Sequence, residues 1–168
     1  MSVSIRKIKM EIEKLLFRLS KEIVETNIDN PLILGIPNRG DILANRISAN
    51  LSSFGYQHDL EKINYHPFRD DLVYEIEKTK LFYSPTDRNV ILVDDVIYTG
   101  RTIRASIEAV IFSGRPKSIS LLCLVDRGHR ELPLIPKFVG KNIPTHENEY
   151  VSVLLSEIDQ IDRIEIKK

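Results

Sequence analysis

The sequence has one cysteine, Cys123, and no tryptophan among its 168 residues. A lone thiol excludes an internal disulfide, so stability must come from an apolar core, and a reducing cytoplasm is the expected setting. Net charge is also missing: 24 Lys and Arg balance 24 Asp and Glu. That balance excludes a general attraction to nucleic acid or membrane, though not a local basic patch. No apolar run approaches the roughly 20 residues of a membrane-spanning helix. Residues 1–13 alternate charged and apolar side chains, without the continuous apolar stretch of a signal peptide. No His/Cys cluster stands at metal-ligand spacing, and no Ser-His-Asp or Cys-His set is evident. What remains is 42% hydrophobic and 29% charged, the balance of a globular protein. The length fits one domain, residues 1–168, large enough to bury a core.

Residues 5–26 carry Ile5, Ile8, Ile12, Leu15, Leu16, Leu19 and Ile23 at three- and four-residue spacing, which predicts a helix with one buried face. Asp29-Asn30-Pro31 breaks it, and residues 32–36 read as a buried strand. Asp41 is placed to cap a following helix with Ile42, Leu43, Ile47 and Leu51 inward. Residues 60–65 read as a strand. Residues 67–89 are a long polar connection with room for a hairpin, and such connections are often functional. Residues 90–93 are the clearest strand and 94–100 a turn. Residues 101–113 form a helix, with Ile103, Ile107, Val110 and Ile111 inward and Gly114 and Pro116 as its stop. Residues 118–125 are another strand, with Cys123 as a small core residue. Two strand-helix-strand passages predict an α/β fold with a mostly parallel sheet flanked by helices.

The chemistry concentrates in Val90-Ile91-Leu92-Val93-Asp94-Asp95-Val96-Ile97-Tyr98-Thr99-Gly100-Arg101-Thr102. A buried strand delivers two carboxylates, then a hydroxyl- and glycine-bearing turn, then a helix start. Ligands of open α/β sheets sit beyond the carboxyl ends of the strands. A helix start behind a small-residue loop suits phosphate through its free N–H groups and dipole. The neighbouring carboxylates repel bare phosphate and suit vicinal hydroxyls or a hydrated cation. Together they describe a pocket for a ribose 5-phosphate.

This stretch resembles the 5-phosphoribosyl-1-pyrophosphate (PRPP) signature of type I phosphoribosyltransferases. Phe68-Arg69-Asp70-Asp71-Leu72, the run from Leu124 through Arg127-Gly128-His129-Arg130-Glu131-Leu132 to Pro133, and Val139-Gly140-Lys141-Asn142-Ile143-Pro144-Thr145 are similar to one branch, the bifunctional pyrimidine-operon attenuation regulators and uracil phosphoribosyltransferases. The resemblance covers nearly the whole chain. It implies the type I phosphoribosyltransferase fold with a small hood from the terminal segments over the carboxyl edge, and a homo-oligomer, dimer or tetramer. It implies that Asp94 and Asp95 hold the ribose hydroxyls, with Val96, Ile97 and Tyr98 beside them, and that Thr99, Gly100, Arg101 and Thr102 wrap the 5-phosphate. Asn38, Arg39 and Gly40 would cradle pyrophosphate, since Arg39 offers a planar donor fork. Arg69 would meet substrate on loop closure, Arg127 the PRPP side of the pocket, and Val151 the base. The family usually has Lys or another polar residue at Pro37, which here removes one N–H. Its lid loop is longer than the stretch between Leu72 and Thr86.

The implied reaction replaces pyrophosphate at ribose C1 by a ring nitrogen of uracil, giving UMP, through an oxocarbenium-like state that needs no protein nucleophile. Asp94, Asp95 and Arg39 would carry catalysis by positioning and electrostatics. Mg²⁺ would enter on PRPP oxygens with no direct protein ligand. His129 has no evident partner and is given no general-base role. Two other readings stay open. One is a uridine-nucleotide-sensing RNA-binding attenuation regulator with little catalysis, using Arg18, Arg130 and Lys141 on an mRNA leader. Against its family pattern, Phe17, Lys21, Thr26 and Ile135 stand where small-polar, His and basic residues are expected. The other is a purine-base salvage transferase, which the PRPP signature alone does not exclude.

Overall fold

The computed structural model describes residues 5–8, 11–70 and 80–168. In chain order the elements are β1 (Ile5–Ile8), α1 (Ile12–Glu25), β2 (Leu32–Gly35), α2 (Gly40–Ser53), β3 (Asp59–Lys62), a 3-10 turn (His66–Phe68), β4 (Asn89–Ile97), α3 (Arg101–Ser113), β5 (Ser118–Asp126), β6 (Phe138–Asn142), β7 (Tyr150–Leu154), α4 (Ser156–Asp159) and β8 (Arg163–Lys167). Five strands pair in parallel in the order β3-β2-β4-β5-β6. The central strands are apolar on both faces because both faces are covered. Ile33, Ile91, Val93, Leu122 and Leu124 pack with α1 and α2, while Leu32, Leu34, Val90, Leu92, Leu121 and Cys123 pack with α3. Each such fully buried aliphatic side chain is worth about 1.5–3 kcal/mol of transfer free energy.

The predicted helices form where apolar spacing meets a stop. In α1, Ile12, Leu16, Leu19 and Ile23 are fully buried, and the Thr26 hydroxyl donates to the Ile23 carbonyl at the end of the helix. In α3 the left-handed Gly100 (φ 91) precedes the first turn and Gly114 ends the helix. Ile103 and Val110 point inward as expected, but Ile111 is 58% exposed, one residue off the buried arc.

Four local expectations are corrected. Residues 5–8 are not helix: they pair antiparallel with β8, a long-range partner that local periodicity does not register. Asp41 is not the cap, since Arg39 takes that position; the Asp41 carboxylate instead accepts the Ile42 N–H and pairs with Lys62. The strand expected at 60–65 is Asp59–Lys62. The turn expected from Asp94 is still strand, because pairing with β5 continues from Asp94 to Ile97. The possible hairpin and the lid fall largely on residues 71–79, outside the described residues.

The terminal segments form a second sheet, β1-β8-β7, all antiparallel. Its Val153, Ile164 and Ile166 are buried in the core cluster shared with α1 and α2. β7 packs against β4, and α4 meets the loop after β2 through Arg39 and Asp159, so this sheet is the expected hood at the carboxyl edge. Among the described residues no helix is long and apolar enough to cross a membrane.

Candidate active site

Strand order reverses between β2 and β4. From β2 the chain moves through α2 outward to β3, then returns to place β4 on the other side of β2 and runs on to β5 and β6. Such a switch point opens a crevice at the carboxyl ends. The loops after β2 and β4 are the ones that carry the predicted site.

Two glycines let these loops approach. A methyl on Gly40 would lie 2.3 Å from the Val93 carbonyl oxygen, and one on Gly35 would lie 2.4 Å from Asp41 Cα. The start of α2 therefore rests directly on β4 at Val93 and Asp94, and the Ile36 N–H donates to the Val93 carbonyl at 2.9 Å. Pro37, Asn38 and Arg39 connect β2 to α2, with a cis peptide bond between Pro37 and Asn38.

Asp94 is buried and Asp95 half-buried. Burial, then the Asp95 charge, holds the Asp94 carboxyl well above the usual range. Burial also raises Asp95, opposed by the Val96 N–H and by the Arg39 cation. Each carboxylate accepts a neighbouring N–H: Asp95 N–H to Asp94 Oδ1 at 3.0 Å, and Val96 N–H to Asp95 Oδ1 at 2.8 Å. A buried acidic pair of this kind gains from hydroxyl donors or positive charge placed against it.

The loop after β4 turns at Gly100, where a side chain would meet Leu134 and the backbone is left-handed. The first-turn N–H groups of α3 have no intrahelical acceptors. The Arg101 side chain is turned to Glu131 (2.7 Å) and Asp70 (3.2 Å). Arg69, Asp70, Arg101, Thr102, Arg104 and Tyr65 line a hollow of about 230 Å³, so Arg69 lies beside the start of α3.

Arg127 is 4% exposed and lies over the Tyr98 ring, 4.0 Å from its centroid, a cation–π contact. Its Nε donates to the Thr145 hydroxyl at 3.0 Å and its Nη2 to the His146 carbonyl. His129 Nε2 lies 2.7 Å from the Thr145 carbonyl oxygen, so Nε2 carries a proton and donates it there, which ties the ring to the loop after β6. Val151 is half-buried on β7, against the same core as Val96. Of the basic residues expected to meet RNA, Arg130 is folded inward onto Asp126 and the Leu134, Ile97 and Tyr98 carbonyls. Arg18 donates to the Val139 and Gly140 carbonyls and to Glu22, which sets it beside the exposed Lys141.

Asp159 and Thr145 were not anticipated. Arg39 Nη2 donates to both Asp159 oxygens at 3.2 Å. Thr145 closes the Val139–Thr145 segment but carried no site role there, and Asp159 stands in no recognisable motif; both reach the site by long-range folding.

A phosphoribosyl transferase domain family model matches residues 4–157. The bifunctional protein PyrR of Clostridioides difficile strain 630 is 47% identical, covering 94% of this chain and 93% of that protein. The bifunctional protein PyrR of Streptococcus suis strain 05ZYH33 is 45% identical, covering 92% and 91%. Among solved structures, the hypoxanthine phosphoribosyltransferase of Trypanosoma cruzi superposes with a TM-score of 0.72 at 17% identity, covering 92% of this chain and 90% of that one. That likeness speaks for the fold.

Proposed function

The chain belongs to the phosphoribosyltransferase family, and from that premise we propose that it transfers the phosphoribosyl group of PRPP to uracil, forming UMP and pyrophosphate. The observation that carries this reading is the meeting of the Asp94–Asp95 pair, the start of α3 and Arg39 at one strand-order reversal. Asp94 and Asp95 accept the ribose hydroxyls and steady positive charge developing at C1. The first turn of α3, with Thr99 and Thr102, holds the 5-phosphate. Arg39 stabilises charge on the leaving pyrophosphate, and Asn38 and Gly40 shape its cradle. Arg127, held over Tyr98, closes the pocket between the phosphate loop and the hood, where Val151 meets the base.

Among the described residues no group of three or more His, Cys, Asp or Glu is placed to hold a metal. One acidic pair fits a hydrated Mg²⁺ carried in on PRPP oxygens, where it would neutralise pyrophosphate charge. Base choice rests on the PyrR relatives, since the hypoxanthine enzymes share the fold at low identity. A cytoplasmic setting accords with the single buried thiol, Cys123. One folded domain and a homo-oligomer complete the proposal.

A second, regulatory activity is favoured by the "bifunctional" name of those relatives and by one placement. Arg18 lies beside Lys141, and Lys141 shares a basic hollow with Arg6 and Lys7. A messenger-RNA leader bound there in a uridine-nucleotide-dependent way should show steep salt dependence; no gel shift at low salt would remove this activity. The transferase is tested by conversion of labelled uracil to UMP with PRPP and Mg²⁺. Formation that disappears without PRPP supports it, and no UMP from folded protein rejects it.

A further inference from the structure

The hood sets an acid against the pyrophosphate loop. Arg39, at the entry to α2, donates from Nη2 to Asp159 Oδ1 and Oδ2, both at 3.2 Å. The two side chains are 30% and 21% exposed, so water screens the pair only partly. Asp159 is itself anchored, because its Oδ2 accepts the Leu155 N–H at 2.9 Å. On the other side, the Arg39 charge is felt by Asp95. Arg39 is thus a cation held between an acid of the ribose site and an acid of the hood.

The contact leaves the cation incompletely satisfied. Arg39 Nε is shut off from solvent and has no hydrogen-bond partner. A buried donor without an acceptor is unfavourable in the free protein, and a second anion against the exposed part of the guanidinium would offset that cost. Arg88 and Arg104, which are ion-paired elsewhere in the fold, also leave Nε without a partner, so Arg39 is set apart by its place at the crevice and not by this donor alone. Here one nitrogen is fixed by Asp159 while 30% of the side chain stays exposed.

We infer that Asp159 is a positioning residue: it fixes the Arg39 guanidinium from the hood side so that the exposed part of the cation is presented to the pyrophosphate group of PRPP. This rests on the transferase reading of the same site. It makes the C-terminal hood, and not only the loop after β2, part of leaving-group recognition. An Asp159 that competed with pyrophosphate for Arg39 would instead weaken binding, so positioning and competition differ in the sign of a measurable change.

The test is calorimetric titration of magnesium pyrophosphate, and separately of UMP, into wild type, Asp159→Asn and Asp159→Glu. Asparagine keeps an acceptor for the Leu155 N–H and removes the charge. Asp159→Asn should weaken pyrophosphate by about ten- to a hundredfold, the scale of losing a group that orients a ligand-binding residue. UMP affinity and melting temperature should hold, and Asp159→Glu should recover part of the loss. In turnover, KM for PRPP should rise while KM for uracil does not. Unchanged or tighter pyrophosphate binding overturns the inference, as does parallel loss of pyrophosphate and UMP, which would mark Asp159 as structural. Wild-type protein that binds neither ligand would overturn the transferase reading itself.

Discussion

Replacing Gly40 with alanine perturbs the contact on which the site is built. Gly40 begins α2 where the helix crosses β4. The new methyl would lie 2.3 Å from the Val93 carbonyl oxygen and 2.9 Å from Asp94 Cα. Carbon–oxygen contacts relax to about 3.3 Å, so helix or strand must retreat by about 1 Å. Overpacking of this kind costs about 1–3 kcal/mol. Both colliding atoms are backbone and cannot swing aside, which places the cost at about 2–3 kcal/mol within that range. For a chain of 168 residues, the melting temperature should fall by about 4–12 °C. The same displacement separates Arg39 from Asp94 and Asp95, and misplacement on that scale lowers turnover by about a hundredfold. Scanning calorimetry and UMP formation read the two effects. Gly55→Ala is the control: its methyl would meet nothing within 4 Å, although the backbone there is left-handed. It should lose stability without losing specific turnover. Wild-type melting and full turnover in Gly40→Ala would refute the claim that close approach of α2 to β4 builds the site.

Asp95→Asn should lower turnover by about a hundred- to a thousandfold, the usual loss for one preorganised electrostatic contact, while the protein stays folded; unchanged UMP formation would misplace the ribose. Asp94→Asn should stabilise the protein at neutral pH by about 1–2 kcal/mol while removing activity. Its sign follows from burial: the Asp94 carboxyl is raised above its ordinary 3.8, so wild-type stability is fully present below that value and declines as pH rises through the folded value. Melting curves of variant and wild type should converge in acid and separate toward neutrality, and parallel curves would contradict this. Arg46→Met should cost about 2–3 kcal/mol, at the low end for a broken partly buried ion-pair network because its acids are partly exposed. Arg46 holds Glu157 and Asp162 below their ordinary 4.5 and 3.8, so their contribution is present above those values and lost as pH falls through the lower folded ones. The variant should therefore show a flatter acid limb in urea unfolding than wild type, and an unchanged limb would contradict the pairing.

What could be read from the sequence was what neighbours in the chain decide. α3 was legible to its ends because Gly100 and Gly114 punctuate it. The starts of β2 and β4 were legible because their residues are apolar on both faces. The acidic pair, the turn from Tyr98 to Thr102 and Arg39 were legible as motifs, and the fold brings them to one crevice. The misses lie where distant partners decide. Ile5 and Ile8 fit a helical stripe, yet pairing with β8 makes them strand. In β8 the alternation Arg163-Ile164-Glu165-Ile166-Lys167 is a strand signal, but too short to announce its antiparallel partners β1 and β7. Pairing with β5 carries β4 through Asp94 and Asp95, although acidic residues there favour a turn. Asp159 carries no local sign of its role, because only the folded hood brings it to Arg39.

The central claim is transfer of phosphoribosyl to a pyrimidine base, and pyrophosphate release tests it most directly. Protein, PRPP and Mg²⁺ are incubated with uracil, hypoxanthine, guanine, adenine or no base. The account predicts release with uracil and none with the other additions. Release with a purine instead of uracil, or none with any base from protein shown to bind PRPP, would contradict it.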